Sequence, residues 1–315
     1  MRERWGWIVW IAVIPALLAQ GPAPGVVVSA GYSAPQPVRV SPGQVITLFV
    51  HVNGTQPAEA AANELPLPVT LNGYTVTMRQ TFQTGSVAVP LFAVYPVENC
   101  YGLAPAACSE LVAITLQVPW ELAPNVDSRR PANFAVLTVA HQGVDGEAFP
   151  LEAVTDSIHI VNSCDATMPP GVERPEDLTG PCKPVVTHAS GRLVTVGNPA
   201  KPGEALTMYA VGMGRAGGNL KTGEAVAAAV ALPDVRLGFE YGVNRPGREP
   251  AADGAAPIFA GLVAGQVGLY QVSFTVPASG SVTACTASTV KSNLTVSIGR
   301  QSSFDGAGIC VDSGN

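Results

Sequence analysis

Six cysteines are the residues of this chain best suited to chemistry, because thiols form disulfide bonds or hold metal ions. Zinc sites usually place two cysteines close together with histidines nearby, and no such spacing occurs in the sequence. The spacing instead favours disulfide bonds between cysteines that are neighbours along the chain, and each bond would close a short loop. The favoured pairs are Cys100–Cys108, Cys164–Cys182 and Cys285–Cys310.

Three glycines, Gly212, Gly214 and Gly217, match the spacing of a dinucleotide-binding loop and follow a predicted strand. A dinucleotide site needs a helix next, so that the helix N-terminus faces the pyrophosphate. The segment 218–223 reads Gly-Asn-Leu-Lys-Thr-Gly, which is a poor start for a helix. We therefore expect a glycine-rich loop at a strand end and predict no bound cofactor.

Side chains for acid–base or nucleophilic catalysis are sparse. The histidines at 51, 141, 159 and 188 are scattered, and no Gly-x-Ser-x-Gly nucleophile elbow is present. His51 and His159 fall in predicted strands, where we expect packed or surface side chains rather than bases. A triad assembled from distant residues is neither shown nor excluded by the sequence. We predict that the chain is not an enzyme, and a hydrolase with a site between two domains stays the alternative.

Two acidic segments, 145–147 and 173–177, could offer oxygen ligands to calcium. Calcium loops place several carboxylates at regular intervals around a glycine turn, and neither segment does so. We expect solvated turns and predict no metal site, with calcium binding at 173–177 as the alternative. Asn53 and Asn293 each begin a glycosylation sequon, which matters in a host with that machinery.

The composition of the chain narrows its function classes. The 315 residues include 17 Lys and Arg and 23 Asp and Glu, which give a formal net charge of −6. Binding to nucleic acid needs clustered basic residues that neutralise phosphates, so we predict no nucleic-acid partner. The 28 prolines argue against long helices, because an interior proline breaks a helix.

The N-terminus has the three-part pattern of a secretory signal peptide. Arg2 and Arg4 precede an apolar run of about 14 residues that ends in small side chains at Ala19. That run is shorter than the ~20 residues that span a membrane, although a membrane anchor remains the alternative. We predict cleavage near Ala19, a mature chain without a membrane span, and a secreted, periplasmic or cell-surface location. Export would place the cysteines in an oxidising compartment, where disulfide bonds persist.

The sequence repeats itself at a nearly constant offset. The segment 42–50 matches 202–210, which lies 160 positions later, and 114–119 matches 272–277, which lies 158 positions later. A third, shorter match between 102–105 and 261–264 falls in the same order. Blocks in the same order at a nearly constant spacing predict a tandem duplication of one domain of roughly 130 residues.

Within each copy, short runs rich in Val, Ile and Thr alternate between apolar and polar residues, which is typical of half-buried strands. The segment 222–232 is the one helix-like stretch, and a loop plus a strand is its alternative. We predict an all-β protein of two tandem β-sandwich domains. The predicted boundaries are 1–19 for the signal peptide, 20–161 for the first sandwich, 162–186 for a Pro-rich, disulfide-closed connector, 187–299 for the second sandwich and 300–315 for a C-terminal tail.

The segment Phe259–Val272, together with Val276-Pro277, resembles the signature of a secreted domain family common in Acidobacteria, described as an uncharacterised C-terminal domain of Solibacter proteins. Pro202-Gly203 and Gly212-Met213-Gly214 match other marks of that family. The resemblance is close over 197–299 and looser over 25–161. It implies an immunoglobulin-like sandwich in each copy and no catalytic residues.

These observations together predict an exported binding or structural protein of the cell envelope or extracellular space, with an envelope protein or polysaccharide as partner. The alternative is a subunit of a larger assembly built by pairing of exposed edge strands. Segment 25–30 is expected to be the first strand of its own domain or a strand donated to a neighbour. The aromatic side chains chosen as candidate surface contacts are Trp120, Phe239, Tyr241 and Tyr270.

Overall fold

The protein is all-β, as predicted, with twenty strands and no helix in the part of the chain that the computed structural model describes. Alternating apolar and polar residues explain the strands, because every second side chain then faces one side of a sheet. The described residues are 27–30, 38–51, 56–80, 84–97, 110–124, 134–163, 165, 182–239, 254–278, 293–299 and 303–312.

The strands follow each other along the chain in two groups. The first group is β1 (Val27–Ala30), β2 (Val38–Val40), β3 (Val45–His51), β4 (Ala60–Ala61), β5 (Thr70–Leu71), β6 (Tyr74–Gln80), β7 (Val87–Ala88), β8 (Leu91–Pro96), β9 (Leu111–Gln117), β10 (Phe134–His141) and β11 (Val144–Ala153). The second group is β12 (His159–Ile160), β13 (Val186–His188), β14 (Ala205–Val211), β15 (Val230–Ala231), β16 (Val235–Gly238), β17 (Phe259–Leu262), β18 (Tyr270–Thr275), β19 (Leu294–Ile298) and β20 (Phe304–Ala307).

The first group forms two sheets that enclose one hydrophobic core. Sheet I has the order β1-β3-β9-β8-β4, and sheet II has the order β2-β11-β10-β6-β5 with β7 beside β6. Strand β2 runs parallel to β11, whereas the other pairs are antiparallel. The side chains of Ile46 and Leu48 from sheet I and of Val76 and Leu137 from sheet II are completely buried between the sheets.

The second group repeats this arrangement. Sheet III has the order β12-β14-β18-β17-β15 with β13 also beside β14, and sheet IV has the order β16-β19-β20. Met208 and Phe274 from sheet III and Leu237 and Val296 from sheet IV lie in a second, separate core. The protein is therefore a pair of β-sandwiches.

The Pro-Gly turn found in both repeats has the same hydrogen bonds in both copies. In the first copy, the amide of Gly43 donates to the carbonyl of Val118 at 3.0 Å. In the second copy, the amide of Gly203 donates to the carbonyl of Val276 at 2.9 Å. These equivalent bonds fit the duplication that the sequence predicts.

Side chains near the turn are equivalent as well. Gln44 accepts a hydrogen bond from the amide three residues before it, and Glu204 does the same in the second copy. Thr47 and Thr115 share a hydrogen bond of 3.0 Å across β3 and β9. The matching strands β14 and β18 are joined in the same way by a pair of hydroxyl side chains.

The boundary of the second sandwich is earlier than 187, the residue predicted from the sequence. Strand β12 falls within the predicted first domain, yet it pairs with β14 in sheet III. The predicted C-terminal tail from residue 300 includes a strand of this sandwich, because β20 pairs with β19 and Ala200 bridges to Val311. The sequence match covered the central strands of the repeat and missed these edge strands, which are short.

The ends of the predicted connector lie side by side. The amide of Ser163 donates to the carbonyl of Lys183 at 2.8 Å, and the amide of Lys183 donates to the Ser163 hydroxyl at 2.9 Å. Cys182 and Cys310 are both in disulfide bonds, and the other four cysteines lie outside the described residues. The pairing of the six cysteines therefore stays a prediction.

Two further alternatives from the sequence are resolved by the strands. Segment 222–232 is a loop followed by β15, so its helical interpretation is wrong. Strand β1 pairs with β3, which makes it a strand of its own domain rather than one donated to a neighbour.

Candidate functional site

Three of the four aromatic side chains chosen as surface contacts are buried, so that prediction is wrong for them. Tyr270 is fully buried, Trp120 is 2% exposed and Phe239 is 8% exposed. Tyr270 alternates with the outward-facing Gln271 along β18 and therefore faces the core. Its hydroxyl donates to the carbonyl of Gly214, and burial raises the pKa of the Tyr270 phenol. Tyr241 lies outside the described residues.

Trp120 belongs to the first repeat but packs in the core of the second sandwich, in a cluster that also includes Met213, Ala216 and Leu220. The residue follows β9 and the Val-Pro pair that ends the repeat block. Its carbonyl accepts a hydrogen bond of 3.1 Å from the Arg215 guanidinium. When one domain supplies a bulky aromatic side chain to the core of the other, its burial requires both domains and favours one arrangement of the two.

Polar groups join the two sandwiches around Trp120. The Trp120 amide donates to the Thr222 hydroxyl at 2.9 Å, and that hydroxyl donates to the carboxylate of Glu121 at 2.5 Å. The amide of Gly223 donates to the side-chain oxygen of Gln117 at 2.7 Å, and its carbonyl accepts from the amide of Leu67 at 2.8 Å. Side chains and backbone of both sandwiches thus take part in one network. We call this region of contact between the sandwiches, around Trp120 and Gly223, the junction.

The glycine-rich segment predicted as a strand-end loop lies at this junction. Gly212 has a positive φ of 73°, and a Cβ atom built on it would overlap the carbonyl oxygen of Ser157. The Ser41 hydroxyl donates to the Gly212 carbonyl at 3.1 Å, and the Gln44 amide donates to the Ser157 carbonyl at 3.2 Å. The glycine therefore permits close approach of backbones. No helix follows it before residue 239, so the helix that a dinucleotide site requires is missing.

An apolar cluster completes the junction. Val45 and Phe92, from the outer face of sheet I, pack with Val211 and Tyr209, from the outer face of sheet III. Neighbouring side chains of the second sandwich extend the cluster, namely Val161, Val185, Leu193 and Leu269. Interfaces between loosely tethered domains are usually more polar than this.

A cavity of about 320 Å³ lies beside Trp120. It is lined by Gly268 and by residues of the loop 218–230, most of which are small and apolar. Lys221 and Glu224, the ionisable side chains among the described residues that line it, form an ion pair of 3.2 Å. The cavity wall therefore presents an alanine- and valine-rich surface.

Two histidines brace the second sandwich. His159 lies 2.8 Å from the carboxylate of Asp165 and 3.8 Å from that of Asp305, whose pKa is raised by burial. His188 lies 2.6 Å from the carboxylate of Glu204, and this hydrogen bond lowers the pKa of Glu204. The contacts of His159 with Asp305 and of His188 with Glu204 join segments that are distant in the chain, as structural side chains do.

The remaining candidates from the sequence are the two glycosylation sequons and the acidic segments that could bind a metal ion. Asn293 is buried, and both ends of its amide bond the backbone of Ile309, so a glycan on this side chain does not fit the folded protein. Asn53 and the acidic segment 173–177 lie outside the described residues. Within the described ranges, no three His, Cys, Asp or Glu side chains are grouped so that they could hold a metal ion.

One signal in the sequence points to the junction. The two repeats differ at equivalent positions: Gln117 and Trp120 of the first copy correspond to Thr275 and Ala278 of the second. Both of these first-copy residues contact the second sandwich, since Gln117 accepts from the amide of Gly223 and Trp120 lies in the second core. A comparison of the copies position by position would therefore have found Trp120, whereas its aromatic character alone suggested a surface contact.

Comparison with models of protein families and with the curated proteins found no match to this chain. In the described part of the chain, no helix has the length and apolar character needed to cross a membrane.

Proposed function

We propose that this chain is an exported, non-catalytic structural or binding protein that acts as a rigid two-domain unit in the cell envelope or outside the cell. The observation that carries the proposal is the burial of Trp120, a residue of the first repeat, in the core of the second sandwich. Domains joined in this way keep one relative orientation. A spacer or adhesion protein needs such a fixed orientation to hold its binding faces apart.

Both sandwiches are immunoglobulin-like in this proposal. Strands β1, β3, β9 and β8 lie in one sheet and β11, β10 and β6 in the other. That order matches the ABED and GFC sheets of the immunoglobulin fold, and sandwiches of this kind are common in cell-surface proteins. The resemblance to the secreted acidobacterial family points the same way.

Disulfide bonds and export are parts of the same proposal. The meeting of the connector ends at Ser163 and Lys183 supports a Cys164–Cys182 bond. The disulfide-bonded state of Cys310 supports its pairing with Cys285. Mass spectrometry of the unreduced protein from its native source tests both, with an expected N-terminus after Ala19 and three bonds between neighbouring cysteines. An intact N-terminus or free thiols would contradict export.

Edge strands favour the rigid unit over an assembly built by strand pairing. The edge strands in the described sheets have two to four residues. Strands β4 and β15 have two residues each, and a Leu-Pro pair follows β15 directly and β4 after three residues. Short edges and prolines limit the addition of another strand.

Retention of the mature, unreduced chain on isolated envelopes of its native source tests the proposed role. We expect wild-type protein to be retained and to stay monomeric in solution. Protein that remains entirely in the supernatant would refute a role in the envelope, and growth of oligomers with concentration would favour the assembly. Release of product from ester, peptide or glycoside substrates would favour a hydrolase.

A further inference from the structure

The outer face of sheet III carries a set of side chains that begins at the junction, with Tyr209, and extends across the sheet beyond it. Residues at odd positions of β14 and β18 and of the start of β17 point away from the core, because the residues between them lie in it. We name this set the sheet III patch. Its members are Thr207, Tyr209, Phe259, Gln271 and Ser273, and all five are partly exposed.

Strand register fixes how these side chains are arranged. Tyr209 lies opposite Gln271, and Ser273 lies opposite both Thr207 and Phe259. Tyr209 and Phe259 therefore stand on the two strands that flank β18, which are about 10 Å apart by ordinary strand spacing. The patch thus has an aromatic ring on either side of a polar strand.

The polar side chains between the rings are oriented by one another. The hydroxyls of Thr207 and Ser273 share a hydrogen bond of 3.2 Å, and the Gln271 amide donates to the Ser273 hydroxyl at 3.4 Å. The Gln271 amide is thereby turned toward the hydroxyls. The groups on offer are hydroxyls and a carboxamide, which can both donate and accept hydrogen bonds.

Both aromatic side chains are held in place. Tyr209 packs against the apolar cluster of the junction, and the Phe259 ring lies over Gly261, a glycine on the same face of β17. Burial raises the pKa of the Tyr209 phenol, so the side chain stays neutral over the physiological pH range. An aromatic side chain that is already fixed loses little conformational entropy when a ligand binds.

We propose that the sheet III patch binds a neutral polysaccharide. A sugar ring has an apolar face of C–H groups, which can stack on an aromatic ring, and a rim of hydroxyls, which can bond hydroxyl and amide side chains. None of the five side chains is ionisable near neutral pH, and the chain is acidic overall, so an anionic polymer is disfavoured. The inference rests on the proposed binding role and names its ligand class.

Affinity electrophoresis of the mature, unreduced chain tests this inference. The gels contain hydroxyethylcellulose, a mixed-linkage β-glucan or xyloglucan as neutral polymers, or alginate as an anionic polymer. We expect at least one neutral polymer to retard the protein and alginate not to do so. Phe259→Ala should weaken this binding about tenfold or more, because an aromatic anchor is lost. Gln271→Ala should weaken it less.

Phe134→Ala is the matched control, since Phe134 is a partly exposed aromatic residue of sheet II. We expect this variant to bind like wild type, and thermal melts confirm that each variant is folded. Tyr209→Leu keeps apolar volume at the junction and is expected to lose binding while remaining folded. Lack of retardation by all three neutral polymers, retardation by alginate alone, or equal binding by wild type and Phe259→Ala would overturn the inference.

Retention on isolated envelopes, measured with the same variants, separates the two proposals. If wild type and Phe259→Ala are retained equally and no neutral polymer is bound, the polysaccharide site is refuted and the envelope role stands. If a neutral polymer is bound but envelopes retain nothing, the polysaccharide site stands and the envelope role is refuted. If Phe259→Ala loses retention but no polysaccharide binds, the patch contacts a protein and the inference is overturned.

Discussion

The indole ring of Trp120 lies directly against Gly43, so that a Cβ atom built on the glycine would overlap three atoms of the ring. Gly43 belongs to the Pro-Gly turn of the first repeat, and Trp120 reaches from this turn into the core of the second sandwich. The equivalent turn of the second repeat, at Gly203, has open space at the same point. The two copies therefore differ where the first meets the second.

Substitution of these two glycines separates backbone strain from loss of the junction. Both have a positive φ, 74° at Gly43 and 81° at Gly203. Gly203→Ala should cost about 1 kcal/mol in free energy of unfolding, because an alanine in the left-handed region is strained. Gly43→Ala should cost roughly 1–3 kcal/mol more, because the methyl group displaces Trp120. Urea denaturation measures both, and equal costs would show that the ring does not press on the turn.

Truncation of Trp120 tests the junction from the other side. Trp120→Ala should lower the free energy of unfolding by about 3–5 kcal/mol, as expected for a buried aromatic side chain. Trp120→Phe keeps part of the apolar volume and should cost less. A Trp120→Ala protein that melts like wild type would show that the side chain contributes little to the core of the second sandwich.

Substitution of Asn293 tests whether the C-terminal segment around Ile309 is part of the fold. Its amide donates to the carbonyl of Ile309 and accepts from the Ile309 amide, both at 2.8 Å. Asn293→Ala should lower the free energy of unfolding by about 2–3 kcal/mol, because two buried backbone groups lose their partner. Asn219→Ala is the control, since Asn219 is exposed, and its change should be close to zero. Equal effects would contradict a structural role for the segment.

The free energy of unfolding should depend on pH through Glu204, which occupies the position of the uncharged Gln44 in the first copy. The hydrogen bond with His188 lowers the pKa of Glu204 below its ordinary value of 4.5. The carboxylate therefore adds stability above pH 4.5, and this contribution is lost as the pH falls through the lower pKa of the folded state. Glu204→Gln should be less stable than wild type at neutral pH, and the difference should shrink in acid.

Denaturant midpoints of wild type and Glu204→Gln at several pH values below and above 4.5 measure this change. Glu224→Gln is the control, since Glu224 is an exposed carboxylate paired with Lys221, and its substitution should change the midpoints little. A difference between wild type and Glu204→Gln that is constant with pH would show that the His188 contact does not favour the charged carboxylate.

The alternation of apolar and polar residues predicted the all-β fold well, because a strand with one buried and one exposed face has that pattern. The same rule places Tyr270 inside and Tyr209 outside, since Tyr209 pairs with Gln271, the residue after Tyr270, and successive residues of a strand face opposite sides. The choice of Tyr270 as a surface contact neglected this rule. Residue type says that an aromatic side chain packs against something, but its position in the strand decides what it faces.

The junction was harder to predict, because it depends on contacts between distant parts of the chain. Trp120 follows a strand of one sandwich and packs in another, and local sequence contains no sign of its neighbour. The strand predicted around His159 is present as β12, but the sequence assigned it to the first sandwich, whereas it pairs with β14 of the second. Strand β20 was missed, because its four residues are too few to show alternation and it forms on hydrogen bonds offered by β19.

Calorimetry of the mature, unreduced chain tests most directly whether the two sandwiches are one rigid unit. Because the second core includes a side chain from the first repeat, we predict a single unfolding transition, with a calorimetric enthalpy equal to the van't Hoff enthalpy. Trp120→Ala should split this transition in two. Two separate transitions in the wild-type protein would mean that the sandwiches unfold independently, and they would contradict a single rigid unit.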